Sequence, residues 1–278
     1  MTNVKRGLKV VIVWLVPLLL HGGFLPGGVS AEGLKVSGTG GSIGGIRLLA
    51  EAFRKANPGV EVVVPKSMGS SGGIRAALAG KLDIGISARP LNAEERSRGG
   101  REIPYARTAF VFAVNPGVKE TGITLPMAVE IYDGKILRWR NGTPLRLVLR
   151  PAADSDTETL RRMSPRMAEA VERALGREGL PLAMTDQDCA DAIERTPGAF
   201  GTMTLSLVVS EKKTIKVLSL SGVKPSNRTV RDGSYPYAKT FYLVTGPNPS
   251  PIAERFIRFA VSPEGGAFLE RVGHVPLS

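Results

Sequence analysis

Two short stretches of this chain carry one pattern of hydroxyls and glycines. Residues 37–47 read Ser-Gly-Thr-Gly-Gly-Ser-Ile-Gly-Gly-Ile-Arg, and residues 69–75 read Gly-Ser-Ser-Gly-Gly-Ile-Arg, so Ser-x-Gly-Gly-Ile-Arg occurs twice. Each copy follows an apolar run (residues 34–36 and 60–64) and precedes apolar residues at helical spacing, such as Ile43, Ile46, Ala50 and Phe53. Each therefore reads as strand, glycine-rich turn, helix. Such a junction aims unpaired backbone N–H groups at whatever lies above the helix N-terminus, and the favoured guest is an anion. Two further polar loops stand at strand ends: Ser87-Ala88-Arg89-Pro90, and residues 150–157 with Arg150, Ser155 and Thr157. Brought together, these loops supply hydroxyls, backbone N–H groups and a guanidinium that can hold two oxygens at once, which suits an oxyanion. Taken singly, each loop also reads as an ordinary capped turn, and Arg150 as a solvated strand end.

Other chemistries lack their residues. No Gly-Lys-Ser/Thr follows either glycine stretch, so there is no Walker A loop. Gly38-x-Gly40 is only part of a dinucleotide fingerprint, and Lys66 and Ser67 stand where an acidic ribose ligand belongs. The one cysteine, Cys189, excludes an intramolecular disulfide and a cysteine-built zinc site, and reads as a small inert side chain. The histidines are His21 and His274 alone, so a Ser/His/Asp triad would rest on His274. The acidic pairs Asp154/Asp156 and Asp186/Asp188 have no His or Cys partner and read as helix caps and solvated turns. We expect no metal, no cofactor and no catalysis. The formal net charge of +12 points to anionic partners, but at 6% aromatic content no stretch interleaves rings with Lys or Arg, so nucleic acid is not expected.

The elements that must position these loops alternate along the chain. Strands are expected at residues 82–87, 109–114, 145–149, 216–220 and 240–245, besides the two already named. Helices are expected at 74–79, 93–97, 126–132, 166–175, 187–195, 252–261 and 264–271, with one more starting at Asp154 to Thr157. Alternation of this kind implies an α/β fold with a largely parallel sheet, whose ligands bind beyond the carboxyl ends of the strands. Asn115-Pro116-Gly117 is a breaker cluster fit to mark a change of domain. Before all of this, Lys5, Arg6 and Lys9 precede an apolar core at residues 10–20, and Val29-Ser30-Ala31 forms a small-residue cleavage site. Residues 1–31 thus read as an export signal whose removal leaves a periplasmic protein without a membrane anchor, with the charge falling from +12 to +9 because three cations and no acids depart.

In order and spacing the pieces resemble the phosphate-type periplasmic substrate-binding proteins of ABC transporters, which have the class II periplasmic-binding-protein fold. The resemblance rests on Ser37-Gly-Thr, Ala56-Asn-Pro-Gly-Val, Gly69-Ser-Ser-Gly-Gly-Ile, Asp83-Ile-Gly-Ile-Ser-Ala-Arg-Pro and Asp133-Gly-Lys-Ile with Trp139. It continues through Leu149-Arg150 with Ser155-x-Thr157, Pro197-Gly-Ala-Phe-Gly, Tyr235-Pro, Ser262-Pro-Glu-Gly-Gly and Val275-Pro-Leu. It implies two αβ lobes with a hinge, lobe 1 being residues 32–114 with 235–278 and lobe 2 residues 115–234. It further implies an oxyanion, phosphate first, bound between the lobes and passed to a membrane permease, with Thr39, Ser70 or Ser71, Arg150, Ser155 and Thr157 in contact with it. Ser37, Gly38, Ser87 and Arg89 complete the candidate set. The alternative is a signalling or scaffold protein of the same fold with no ligand or an altered one. Two departures from the family pattern bear on the ligand. Asp156 stands where Ser-Gly-Thr has glycine, adding a negative charge beside the anion. Ala88 stands where the best-known members have a proton-accepting aspartate, and the neighbouring Arg89 can only donate, which favours a fully deprotonated oxyanion.

Overall fold

Strand and helix alternate from Glu32 onward. In this computed structural model, residues 1–2 and 32–277 are described; the apolar core and cleavage site of the expected export signal, and His21, lie outside the described residues. The chain runs β1 (Glu32–Gly38), α1 (Gly40–Ala56), β2 (Val60–Val63), α2 (Gly69–Leu78), β3 (Ile84–Ser87), α3 (Ala93–Ser97) and the long β4 (Arg101–Val114). It continues through β5 (Gly122–Ile123), α4 (Leu125–Tyr132), β6 (Arg146–Leu147), α5 (Ser155–Met163), α6 (Pro165–Leu175), α7 (Asp186–Arg195), β7 (Ala199–Thr204), α8 (Leu205–Ser210), β8 (Lys216–Val217), β9 (Ser219–Leu220) and α9 (Asn227–Arg231). It closes with β10 (Ala238–Thr245), α10 (Pro251–Ala260), α11 (Pro263–Glu270) and β11 (Val275–Pro276). Local chemistry sets many of the helix starts. Thr124, Ser164, Ser250 and Ser262 each accept an N-terminal backbone N–H, and proline occupies the first turn of the helix that follows.

Among the described residues, the two larger of three hydrophobic clusters mark two αβ lobes; the third is a small group around Ile74, Ala77, Leu91 and Val244. Of the larger two, one gathers Ile46, Leu49 and Phe53 of α1 with Ile84, Tyr105, Phe241 and Phe256. The other gathers Phe110 and Phe112 with Tyr132, Trp139, Met167, Ile193, Phe200 and Met203. Strand β4 serves both, its first half in one core and residues 109–114 in the other. Beside it, the segment before β10 returns to the first lobe. Phe110 N donates to Tyr237 O (2.9 Å) and the Tyr235 hydroxyl donates to Phe110 O (3.0 Å), so the two crossings lie side by side as a hinge.

The sheet order is β2-β1-β3-β10-β4-β7-β6, with β8 and β11 also on β4. The largely parallel sheet expected from the alternation is therefore corrected. β1, β2 and β3 pair in parallel, but β10 is antiparallel to both β3 and β4, and β4 is antiparallel to β7. The reason is topological: the chain leaves the first lobe on β4 and returns on β10, so adjacent crossings must run in opposite directions. Opposite Phe241 and Tyr242 the β4 register slips, next to Pro104, which has no N–H to give the ladder. The expected strand at 216–220 is split. β8 pairs with β4 and β9 pairs in parallel with β5, because Leu218 turns its N–H back to Phe112 O (3.0 Å). The strand at 145–149 shortens to two residues of ladder, with Leu149 bridging Leu182. Among the described residues no helix is long and apolar enough to cross a membrane.

Candidate functional site

The two glycine-rich stretches are helical rather than loops. α1 begins at Gly40 and α2 at Gly69, so most of their glycines lie within the first helical turns. The expected α2 start at Ile74 is corrected by five residues. Glycine pays here through close packing: a Cβ on Gly44 would stand 2.2 Å from Ser210 Oγ, and one on Gly45 would stand 2.6 Å from His274 Cε1. On Gly73 it would lie 2.7 Å from Gly38 Cα, and on Gly85 it would lie 2.6 Å from Gly73 O. Thus α2 rests with its backbone directly on β1 and β3.

This packing builds the first wall. Thr39 holds the N-cap position of α1 in extended conformation, and its side chain makes no cap hydrogen bond. Its N–H donates to Ile86 O (2.9 Å). Ser37 Oγ donates to Lys66 O (2.9 Å) and Ser67 Oγ to Gly38 O (3.0 Å), tying the β2–α2 connection to the end of β1. Ser70 Oγ accepts from Ala88 N–H (3.0 Å). Ser87 Oγ donates to Arg89 O (2.6 Å) and accepts from Arg89 N–H (3.1 Å), a closed local turn. Arg89 is clamped by both oxygens of Glu95 (2.8 and 2.7 Å) and donates to Ser71 Oγ (3.2 Å). The hydrogen bonds to Glu95 hold the guanidinium above its ordinary pKa and the Glu95 carboxyl below the usual carboxylate range. The charge of Arg89 is thereby balanced within its own lobe.

The second wall starts where β6 gives way to Arg150, which is 3% exposed. Its guanidinium donates to Ala183 O (2.9 Å) and Asp154 Oδ2 (2.8 Å) and stands 3.8 Å from Asp186 Oδ2. Its Nε is buried without a partner. Burial works against this charge, but Asp186, Asp154 and Asp156 outweigh it and hold the guanidinium above its ordinary range. Asp154 is also the N-cap of α5, accepting from Asp156 N–H (2.8 Å). The Thr157 hydroxyl donates to Arg150 O (3.2 Å), fixing strand end to helix start. The Ser155 hydroxyl accepts from Lys239 Nζ (2.8 Å), and the same ammonium meets Asp156 Oδ1 at 2.5 Å. Both charged side chains are buried, and Lys239 also lies over the Phe110 ring at 5.4 Å. Burial pushes the Asp156 carboxyl up to about 6, with Lys239 working against that rise and the nearby carboxylates adding to it.

The walls face one another across a cavity of about 310 Å³ lined by Ser70, Ser71, Arg75 and Arg89 on one side and Asp154 and Ser155 on the other. Of the candidate residues, Ser70, Ser71, Arg89 and Ser155 reach this cavity. Thr39, Arg150 and Thr157 lie buried behind it. Ser37 and Ser87 spend their hydroxyls on backbone carbonyls and act as braces. Sequence reasoning did not single out Lys239 or Glu95, and it read Asp186 as a cap or solvated turn. Asp186 is instead buried and accepts the N–H of Gly40 (2.9 Å), joining α7 to the start of α1. His274 meets Ser42 Oγ at 3.0 Å, and Ser42 meets the Tyr105 hydroxyl at 2.5 Å. All of Ser42, Tyr105 and His274 are fully buried and His274 Nδ1 has no partner, so this contact presents no nucleophile to a substrate. Among the described residues no group of three His, Cys, Asp or Glu side chains is arranged to hold a metal ion.

Comparison with known proteins places this geometry. The chain is 24% identical over 228 residues to "Phosphate-binding protein PstS" of Borreliella burgdorferi, covering 80% of this chain and 81% of that protein. It is 28% identical over 254 residues to "Protein SphX" of Synechococcus elongatus, covering 82% of this chain and 73% of that protein. Its fold matches a structure described as a phosphate ABC transporter substrate-binding protein with bound phosphate from Clostridium perfringens, with a TM-score of 0.77, 21% identity, and 89% of this chain and 100% of that chain covered. A phosphate transport receptor from Vibrio cholerae matches with a TM-score of 0.61, 18% identity, and 87% and 99% coverage. The model of the PBP superfamily domain matches residues 26–264, nearly the whole of both lobes, and the chain belongs to that family.

Proposed function

We propose that this chain is an exported solute-binding protein that captures an inorganic oxyanion, phosphate foremost, between its lobes and delivers it to an ABC transporter permease. The observation that carries this reading is the cavity between the starts of α2 and α5, lined by Ser70, Ser71, Arg75, Arg89, Asp154 and Ser155, with the α1 N-terminus joined to the buried Arg150 through Asp186. Helix N-termini offer N–H groups and partial positive charge, and a guanidinium offers paired donors, so the arrangement suits an anion with several acceptor oxygens. The relatives named for phosphate binding support phosphate as the first candidate. In this reading Ser70, Ser71 and Ser155 donate to the ligand, Thr39 and Thr157 stand behind them at the starts of α1 and α5, Ser37, Gly38 and Ser87 brace the loops, and Arg89 orients Ser71. The moving bodies are residues 32–114 with 235–278 and residues 115–234. The chain acts by closing on its ligand rather than by catalysis.

Isothermal titration of the chain after residue 31 with phosphate, sulfate, molybdate and tungstate tests the reading. Micromolar or tighter binding of phosphate is expected, and Arg150→Ala is expected to lower it at least about a hundredfold by removing a charge-assisted pair of donors. If none of the four anions binds, the transport reading fails.

A further inference from the structure

The oxyanion reading assigns the α1 N-terminus and Arg150 to the ligand, yet the chain already holds a carboxylate between them. Asp186 Oδ2 accepts the N–H of Gly40, the first residue of α1, at 2.9 Å, and the same oxygen stands 3.8 Å from the Arg150 guanidinium. Asp186 is buried. We propose that Asp186 is a tethered stand-in for the anion, a carboxylate that occupies the α1 end of the oxyanion site and that the incoming ligand must displace. The proposal rests on the oxyanion reading of the cleft and names how that site is regulated.

Four observations carry it. First, helix α7 does not need this carboxylate. Thr185 caps α7 by accepting from Asp188 N–H, and the Asp188 side chain answers to Thr185 N–H, so the capping box is complete without Asp186. Second, the facing position is cut to fit it. A Cβ on Gly40 would stand 2.8 Å from both the Cβ and Oδ2 of Asp186 and 2.2 Å from Oε1 of the neighbouring Gln187, so glycine lets α1 approach the start of α7. Third, Asp186 and Arg150 are both buried at 3.8 Å, where little water screens their attraction, so the carboxylate adds to the charge that Asp154 already sets against the guanidinium. Fourth, the buried cluster behind the cavity already carries more carboxylates than cations. Within the buried cluster Asp154, Asp156 and Asp186 face Arg150 and Lys239, three carboxylates against two cations, so an oxyanion placed between Gly40 and Arg150 would stand against a carboxylate already there. Moving Asp186 aside frees both the Gly40 N–H and one side of Arg150, whose buried Nε lacks a partner.

The test pairs a ligand measurement with one that needs no ligand. Phosphate affinity is measured for the unmodified chain, Asp186→Asn, Asp186→Ala, and Asp188→Asn as a control on the same helix. Hydrogen exchange at the Gly40 amide is followed in the absence of phosphate. Both Asp186 variants are expected to bind phosphate at least about tenfold more tightly than the unmodified chain, with Asp188→Asn unchanged. Gly40 is expected to exchange faster in Asp186→Ala and to be protected again on adding phosphate. Equal or weaker phosphate binding by the Asp186 variants overturns the proposal. If no protein in the set binds phosphate, the transport reading fails by itself. The exchange data then decide the tethered carboxylate: faster exchange of Gly40 in Asp186→Ala upholds its hold on α1, and unchanged exchange overturns it.

Discussion

A single substitution in a binding loop need not abolish the loop's use if a second residue answers it. Asp156 takes the place of a glycine in Ser-x-Thr, and the answer is Lys239, at 2.5 Å and equally buried. A buried ion pair adds little net stability over well-packed apolar side chains, but removing one member strands the other charge. Lys239→Met alone is therefore expected to cost about 3–5 kcal/mol in urea unfolding, whereas Lys239→Met combined with Asp156→Gly recovers most of that loss. A double variant as unstable as the single one would show that Lys239 has another essential partner. The polar loops at strand ends were legible in the sequence, but which of their hydroxyls brace the backbone, as Ser37 and Ser87 do, was not, because Ser and Thr there serve equally in capped turns. Nor did the sequence reveal Lys239 or Asp186, because a charged residue has no sequence signature of burial. Lys239 precedes an ordinary strand pattern, and Asp186 sits where acidic residues favour any helix start. Only the fold brings them 2.5 Å and 3.8 Å from their partners.

Among the elements, α1 reaches furthest across the molecule. Its glycine edge lies against α8, where Thr204 Oγ1 and Ser206 Oγ both donate to Gly41 O (2.8 and 2.7 Å), and Ser42 on the same turn meets His274. Burial pulls the His274 imidazole down to about 4 from an ordinary value of 6.5. The unfolded chain therefore binds a proton more readily than the native chain between those values, and stability contributed by the neutral ring is lost as pH falls through that window. Asp156 works in the opposite sense, since its raised value lets the native chain take up the proton first. The comparison must therefore be made against a variant. Relative to His274→Gln, the unmodified chain is expected to lose about 3 kcal/mol between pH 7 and pH 4 by urea midpoints. Parallel pH trends would show that His274 does not titrate in this way. Most helices and strands were legible from apolar spacing and breakers, as at Asn57-Pro58-Gly59. The early starts of α1 and α2 were not, because glycine is read as a helix breaker unless its neighbours across the interface are known.

At the scale of the whole molecule, charge and topology act together. The formal charge is +12, or +9 without residues 1–31, and Arg75, Arg89, Arg161 and Arg162 line two cavities beside the start of α5. A field of this sign draws anions in, and salt screens it. The association rate for phosphate is expected to fall several-fold between about 0.01 M and about 0.15 M salt in stopped-flow measurements. A rate indifferent to salt would remove steering from the account. The lobes were only partly legible, because β4 belongs to both cores and the breaker at residues 115–117 follows the place where the cores change over. Beneath the first wall, Gly38, Gly73 and Gly85 touch backbone to backbone, leaving no room for a side chain at any of the three. That floor cannot be edited by point substitution without lifting α2 off the sheet. A lineage exploring new anions, or an engineer doing so, keeps that floor and varies the side chains around it: Ser70, Ser71 and Arg89 above it, and Asp156, Asp186 and Lys239 across the cavity, one or two at a time. The cleft thus has a floor closed to substitution beneath side chains that are open to it.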